Sequence, residues 1–265
     1  MPGSGPTDRD GNNALGVKAA PYRMLAEALA AKRVSTLRAD KRGMFGSKAA
    51  ISDPNSVTIG DYAADAHSWV KSIRTRTGAK CVWVLGHSEG ALVALAAAQQ
   101  PQGICGVILV SGAGRKVSDL IREQLRANPA NAPVLDSAMK ALDALDRGKH
   151  VDVTGMHRSL QRLFAPQVQG FLIDMFAHDP VKLASTLKLP LLIVQGERDI
   201  QVSVADAKAL ASARPQAKLV LIPTMNHVLK DVSYDDLQAN LATYADPSLP
   251  VDATLVDAIA AFVKR

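Results

Sequence analysis

From Ala19 onward the chain alternates between two hydrophobic rhythms. Tyr22, Leu25, Ala26 and Leu29 recur at helical spacing behind Pro21, a residue suited to a first helical turn. Val34 to Asp40 reads as a short strand. Thr58 with Asp61 three residues on forms a capping-box pattern, with Asp in place of Glu. It opens a helix whose apolar stripe is Tyr62, Ala66, Trp69, Val70 and Ile73, and Gly78 ends it. Cys81 to Leu85 has no polar alternation, which predicts a strand buried on both faces, as in a parallel sheet covered by helices. A helix of Ala, Leu and Val follows from Glu89 to Gln100. Further apolar strands are predicted at Gly106–Val110, Pro190–Val194 and Ala217–Ile222. A last helix carries Leu255, Ile259, Phe262 and Val263 on one face. Strands separated by helices in this order predict an α/β fold with a mainly parallel sheet flanked by helices.

Residues 113–186 interrupt this alternation. They carry helical patterns, clearest at Leu135, Met139, Leu142 and Leu145, and no convincing strand. The expectation is a core of residues 1–112 and 187–265, with 113–186 forming a helical cap over one end of the sheet. Ligands in open α/β sheets bind outside the carboxyl ends of the strands, so the cap would face them. Leu135, Met139, Phe164, Leu172, Met175 and Phe176 are the candidate substrate-binding wall. Each has an equally simple use in holding the cap's own helices together.

Composition narrows the classes. The chain has 265 residues, 48% hydrophobic and 21% charged, which excludes a disordered or collagen-like protein. Lys and Arg exceed Asp and Glu by 6, but no basic block exceeds two or three residues, so no nucleic-acid partner is expected. No apolar run reaches the roughly 20 residues of a membrane span. The start, Met1 to Asn13, has no apolar stretch and is not read as a signal peptide. A cytoplasmic location is the default, an expectation that residues upstream of Met1 would change. The two cysteines, Cys81 and Cys105, border strands and are expected to be small buried hydrophobes. No metal or organic cofactor is implied by any spacing. The oligomeric state is not legible.

Chemistry enters at Gly86-His87-Ser88-Glu89-Gly90. A serine between two glycines, directly after a buried strand and directly before a helix, is the pattern of a nucleophile elbow. The tight turn lifts the serine hydroxyl out at the end of the sheet and aims the next amide, that of Glu89, from a helix N-terminus. A serine hydroxyl needs a base, and the base needs an orienting acid. His227 and Asp199 follow two other strands and leave from the same sheet end. Glu197 and Asp206 are fallback acids. His87 is a poorer base, because its place in the turn directs it away from Ser88. The glycine-rich stretch Pro2 to Asn12 can present amides to an oxyanion, and it is also compatible with a flexible tail.

These residues together resemble the α/β-hydrolase superfamily. More narrowly, they are similar to a bacterial carboxylesterase-type, serine-aminopeptidase-like family with a Gly-Ser-Gly-Pro-x-Asp-Arg-Asp-Gly loop. The resemblance rests on Gly3–Gly11, Asp40–Ser47, Gly86–Gly90, Gly196–Asp199 and Asn226–His227. It implies Ser88 as nucleophile, Asp199 as acid and His227 as base, with the amides of Ser4 and Glu89 as oxyanion hole. It further implies a serine hydrolase cleaving small carboxylic esters, of short to medium acyl or aryl groups, through an acyl-enzyme. Thioester or amide hydrolysis on the same triad, or a non-catalytic binder on the same fold, are the alternatives. Members of the family carry an apolar strand directly before the glycine loop. Here the N-terminal strands are expected to be missing, unless the strand ending at Asp40 moves beside the Ser88 strand. Arg42 is expected to pin the glycine loop by pairing with Asp8 or Asp10.

Overall fold

The computed structural model describes residues 1–233 and 236–264. In chain order the helices and strands are α1 (Pro21–Ala31), α2 (Ile59–Thr77), β1 (Val82–His87), α3 (Glu89–Ala98), β2 (Ile104–Val110), α4 (Val117–Ala127), α5 (Leu135–Asp146), α6 (Arg158–Leu163), α7 (Gln169–Ala177), α8 (Pro180–Thr186), β3 (Leu191–Gly196), α9 (Val204–Ala213), β4 (Lys218–Ile222), α10 (Leu237–Ala242) and α11 (Ala253–Val263). The strands form one sheet in the order β1-β2-β3-β4, with every neighbouring pair parallel. The capping box closes as the sequence indicates: the Asp61 amide donates to Thr58 Oγ1 and the Thr58 amide to Asp61 Oδ2, each at 3.0 Å.

Alternation along the strands divides the core. Val107, Leu109 and Ile193 point toward α3 and α9, whereas Ile108, Val110, Leu192 and Val194 point toward α1 and α11. Both faces are covered, which is why these strands read as continuous apolar runs. A third cluster lies in the insertion, where Leu142, Leu145, Leu160, Phe164 and Phe176 pack against Tyr62 of α2 and Leu92 and Val93 of α3. The short helix α8 behaves differently from the rest of the insertion. Its Ala184 packs in the sheet layer with α3 and α9, so it returns the chain to β3.

Three expectations are corrected here. Val34 to Asp40 pairs as no strand, and Leu37 is 45% exposed. It therefore does not close against β1. A groove of about 720 Å³ separates the two, lined by apolar side chains that include Leu25, Leu29, Trp83 and Leu85. Trp69, expected in the core, is 40% exposed beside this groove. Among the described residues no strand precedes β1. Met1 alone pairs with its outer edge, donating to the Leu85 carbonyl and accepting from the His87 amide. The third correction concerns the cysteines, which are bonded as a Cys81–Cys105 disulfide. Parallel pairing of Val82 with Ile104 brings the starts of β1 and β2 together, a neighbour relation that spacing along the chain does not reveal.

Candidate active site

The elbow has the geometry its glycines imply. Ser88 sits at φ 55° and ψ −124°, a conformation costly for a residue with a Cβ. A Cβ at position 86 would lie 2.0 Å from the Gly90 carbonyl oxygen, and one at position 90 would lie 2.2 Å from the Met1 carbonyl oxygen. Only glycine lets strand, turn and helix cross this closely. The Ser88 amide donates to Val110 O at 3.0 Å, which ties the turn to the end of β2. Glu89 is the first residue of α3, so its own amide has no intrahelical acceptor.

Asp199 and His227 meet beyond the ends of β3 and β4. His227 Nδ1 lies 2.8 Å from Asp199 Oδ2, with the aspartate side chain fully buried and the histidine 7% exposed. The other oxygen, Asp199 Oδ1, accepts the amides of Gln201 and Val202 at 2.8 and 2.9 Å. Burial by itself would raise the Asp199 pKa. The charge and hydrogen bond of His227 and the two amides outweigh it and hold the carboxyl below its ordinary range. The His227 loop hangs on fully buried Asn226, which donates to Asn240 Oδ1 and Thr243 Oγ1 and accepts from the Lys230 amide. Among the described residues the Ser88 hydroxyl makes no hydrogen bond within the protein, to His227 included.

The glycine loop lies against the elbow and is tied down at several points. A Cβ on Gly3 would fall 3.2 Å from that of Ser88. The Gly3 amide donates to the Tyr22 hydroxyl at 3.0 Å, and the Gly3 carbonyl accepts from Lys41 Nζ at 2.8 Å. Arg9 forms a forked bond to Asp40 through Nε and Nη2 at 3.1 and 2.6 Å, and its amide donates to the same carboxylate at 2.7 Å. The pairing that pins the loop is thus the reverse of the expected one. Arg42 instead grips Asp65 and Asp61 on α2. The Asp-Lys-Arg-Gly motif does serve the glycine loop, but through Asp40 and Lys41. Their exchange of roles with Arg42 depends on which way each side chain leaves the turn.

His87 is committed elsewhere than the reaction. Its Nδ1 lies 2.7 Å from the Tyr22 hydroxyl and its Nε2 lies 2.9 Å from the His227 carbonyl oxygen. A carbonyl only accepts, so Nε2 carries the proton and Tyr22 donates to Nδ1. Burial, then the neighbouring His227, pushes the His87 pKa down to about 3. Of the fallback acids, Asp206 caps α9 through Ser203 and pairs with Arg115, away from His227. Tyr22 and Lys41 were not singled out by sequence; the helical pattern and the Asp40–Ser47 motif contain them without indicating their partners.

The six candidate wall residues divide. Phe164, Leu172, Met175 and Phe176 are at most 9% exposed inside the insertion's own cluster. Their large apolar surfaces are used in packing helix on helix. Leu135 and Met139 on α5 are half-buried. Among the described residues no group of three His, Cys, Asp or Glu side chains could hold a metal ion, and no helix is long and apolar enough to cross a membrane.

Comparison with known proteins bears on the family and the fold. Esterase EstD of Thermotoga maritima is 27% identical over 234 residues, covering 86% of this chain and 53% of that protein. The chain therefore spans about half the length of this relative. Among solved structures, a protein from work on the metagenome-derived lipolytic enzymes LipS and LipT aligns with a TM-score of 0.57 at 17% identity, over 94% of this chain and 89% of that one. An esterase of Pyrococcus furiosus aligns with a TM-score of 0.55 at 17% identity, over 92% and 76%. At such identities the likeness shows the fold alone. Residues 15–231 match the family described as serine aminopeptidase, S33. The chain belongs to that family and has the α/β-hydrolase fold.

Proposed function

We propose that the protein is a serine hydrolase that cleaves small carboxylic esters through an acyl-enzyme. The observation carrying this reading is the buried Asp199–His227 bond of 2.8 Å at the strand ends, with His227 in contact with His87, the residue before the strained Ser88. Ser88 Oγ attacks the ester carbonyl while His227 Nε2 takes its proton. Asp199 holds the imidazole and favours its charged form. The carbonyl oxygen, now negative, accepts from the amides of Glu89 and Ser4. The alcohol leaves with the proton from His227. A water molecule then repeats the attack on the acyl group and frees Ser88.

Esters are favoured over an aminopeptidase substrate by the charges at the site. The carboxylates holding it together already have partners: Glu89 has Lys41, Asp40 has Arg9 and Asp199 has His227. None of these three remains to receive a substrate ammonium. The name of the Thermotoga maritima relative, an esterase, points the same way. The insertion up to α8, residues 113–179, acts as the cap in this reading, with Leu135 and Met139 offering the acyl group an apolar surface. Such a surface separates acyl lengths weakly, about 1–3 kcal/mol per methylene, so activity spreads over short and medium chains.

A fluorophosphonate probe tests the nucleophile, and a series of p-nitrophenyl esters and matched thioesters tests the substrate class. Covalent labelling abolished by Ser88→Ala, with ester turnover highest at short to medium length, is the expected result. A folded protein that neither labels nor turns over any ester would be a ligand-binding homologue instead.

A further inference from the structure

The Lys41–Glu89 ion pair is the least expected feature near Ser88. Both side chains are 3% exposed, and Lys41 Nζ lies 3.0 Å from Glu89 Oε1. Burying such a pair has a large desolvation cost, and an apolar pair of similar volume often does as well for stability. What an apolar pair could not do is donate a second hydrogen bond. Lys41 Nζ gives one to the Gly3 carbonyl at 2.8 Å, and its remaining side faces the Tyr62 ring, 5.5 Å from the centroid.

The Gly3 carbonyl belongs to the peptide unit that carries the Ser4 N–H. That unit is planar and trans, so its C=O and N–H point in opposite directions. Holding the oxygen sets the direction of the amide. Tyr22 holds the same residue from its other side, accepting the Gly3 N–H at 3.0 Å. Glu89, the other partner of Lys41, contributes the second oxyanion amide. One ammonium thus binds the peptide of the first donor and the side chain of the second.

We propose that Lys41 and Tyr22 are positioning residues for the oxyanion hole. They clamp Gly3 so that the Ser4 amide converges with the Glu89 amide on the charge developing beside Ser88. The proposal rests on the serine-hydrolase reading. Its effect falls on the transition state, because a ground-state carbonyl carries little of the charge these amides are aimed at.

The test uses Lys41→Met combined with Glu89→Gln, which removes both charges and leaves no unpaired buried ion, and separately Tyr22→Phe, which removes one hydroxyl. With p-nitrophenyl butyrate, kcat should fall about 10- to 100-fold in the double variant and about 3- to 10-fold in Tyr22→Phe, with KM within about twofold. Affinity for a butyl boronic acid, which becomes tetrahedral on Ser88, should fall by the same factor as kcat/KM, while affinity for butyramide, whose carbonyl is neutral, stays level. If the double variant fails to fold, Tyr22→Phe decides by the same measurements. A folded variant with wild-type kcat and a lowered melting temperature would make the clamp merely structural and overturn the proposal. A wild-type chain that neither turns over esters nor labels at Ser88 overturns the hydrolase reading, and this inference with it.

Discussion

The two halves of the site are built by different means. On the acid–base side, Asp199 and His227 are oriented mostly by their own loops. The Asp199 carboxylate accepts amides two and three residues further on, and Asn226 braces the turn beside His227. On the oxyanion side, residues 3–12 are held by side chains imported from elsewhere: Tyr22 from α1, and Asp40 and Lys41 from the stretch between α1 and α2. The first half inherits its precision from strand ends. The second depends on contacts across long stretches of chain, so it can be loosened without touching the reacting groups.

Asp199→Asn should break the acid–base half most severely, lowering kcat about 10³- to 10⁴-fold as the imidazole loses its orienting charge. Single-turnover kinetics should show the loss in acylation, with the thermal midpoint changing far less than the rate. If kcat falls less than about tenfold, Asp199 is not the orienting acid.

Asp40→Asn should loosen the oxyanion half. It replaces a carboxylate that accepts from Arg9 and the Gly46 amide, so both functions suffer moderately. A kcat loss of about tenfold with a stability loss of about 1–3 kcal/mol is expected. Arg42→Ala, which severs only the grip on α2, should leave kcat near wild type, and an equal loss in the two variants would remove the distinction between them.

His87 joins the halves, since it links Tyr22 to the His227 carbonyl, and it makes the joint sensitive to pH. It is neutral in the fold, with its pKa pushed down to about 3, whereas the unfolded chain takes up a proton near 6.5. Between those values the unfolded state binds the extra proton. The stabilising contribution is therefore complete above pH 6.5 and declines as pH falls toward 3, by about 1.4 kcal/mol per unit. Urea unfolding at pH 7, 6 and 5 should show this decline, and His87→Gln should make it shallower, leaving the part from the Met1 ammonium, whose pKa burial lowers to about 5. The depressed Asp199 pKa adds a separate loss at lower pH, as that carboxylate is protonated through its folded value. An equal slope in wild type and His87→Gln would assign the decline to other groups.

The smallest effect on catalysis should come from the disulfide, which lies at the opposite end of β1 from Ser88. Replacing Cys81 and Cys105 by serine frees a loop with a sequence separation of 24. The loss of stability should be about 3 kcal/mol in the chain-entropy account, with kcat unchanged. Thiol titration of the denatured wild-type protein should find no free thiol.

Legibility followed the same division as the site itself. The elbow and the Asp199–His227 pair could be read because strand, glycine and loop are adjacent in sequence, and a parallel sheet gathers such loops at one end. The Asp40-Lys41-Arg42 motif was visible, but the partner of each charge was not: Arg9 takes Asp40, and Arg42 turns to α2. Val34 to Asp40 has strand-like residues and still forms no strand. Pairing requires a neighbouring edge, and here a groove intervenes.

By itself, the sequence determined the four strands that pair, their parallel character and the elbow turn around Ser88, because periodicity and turn chemistry act over a few residues. Only the tertiary structure decided that Cys81 meets Cys105, that Phe164 and Phe176 are buried in the insertion's own cluster, and that Lys41 and Tyr22 close on Gly3. Each of these depends on which distant segments become neighbours, and that is settled by the packing of the whole chain.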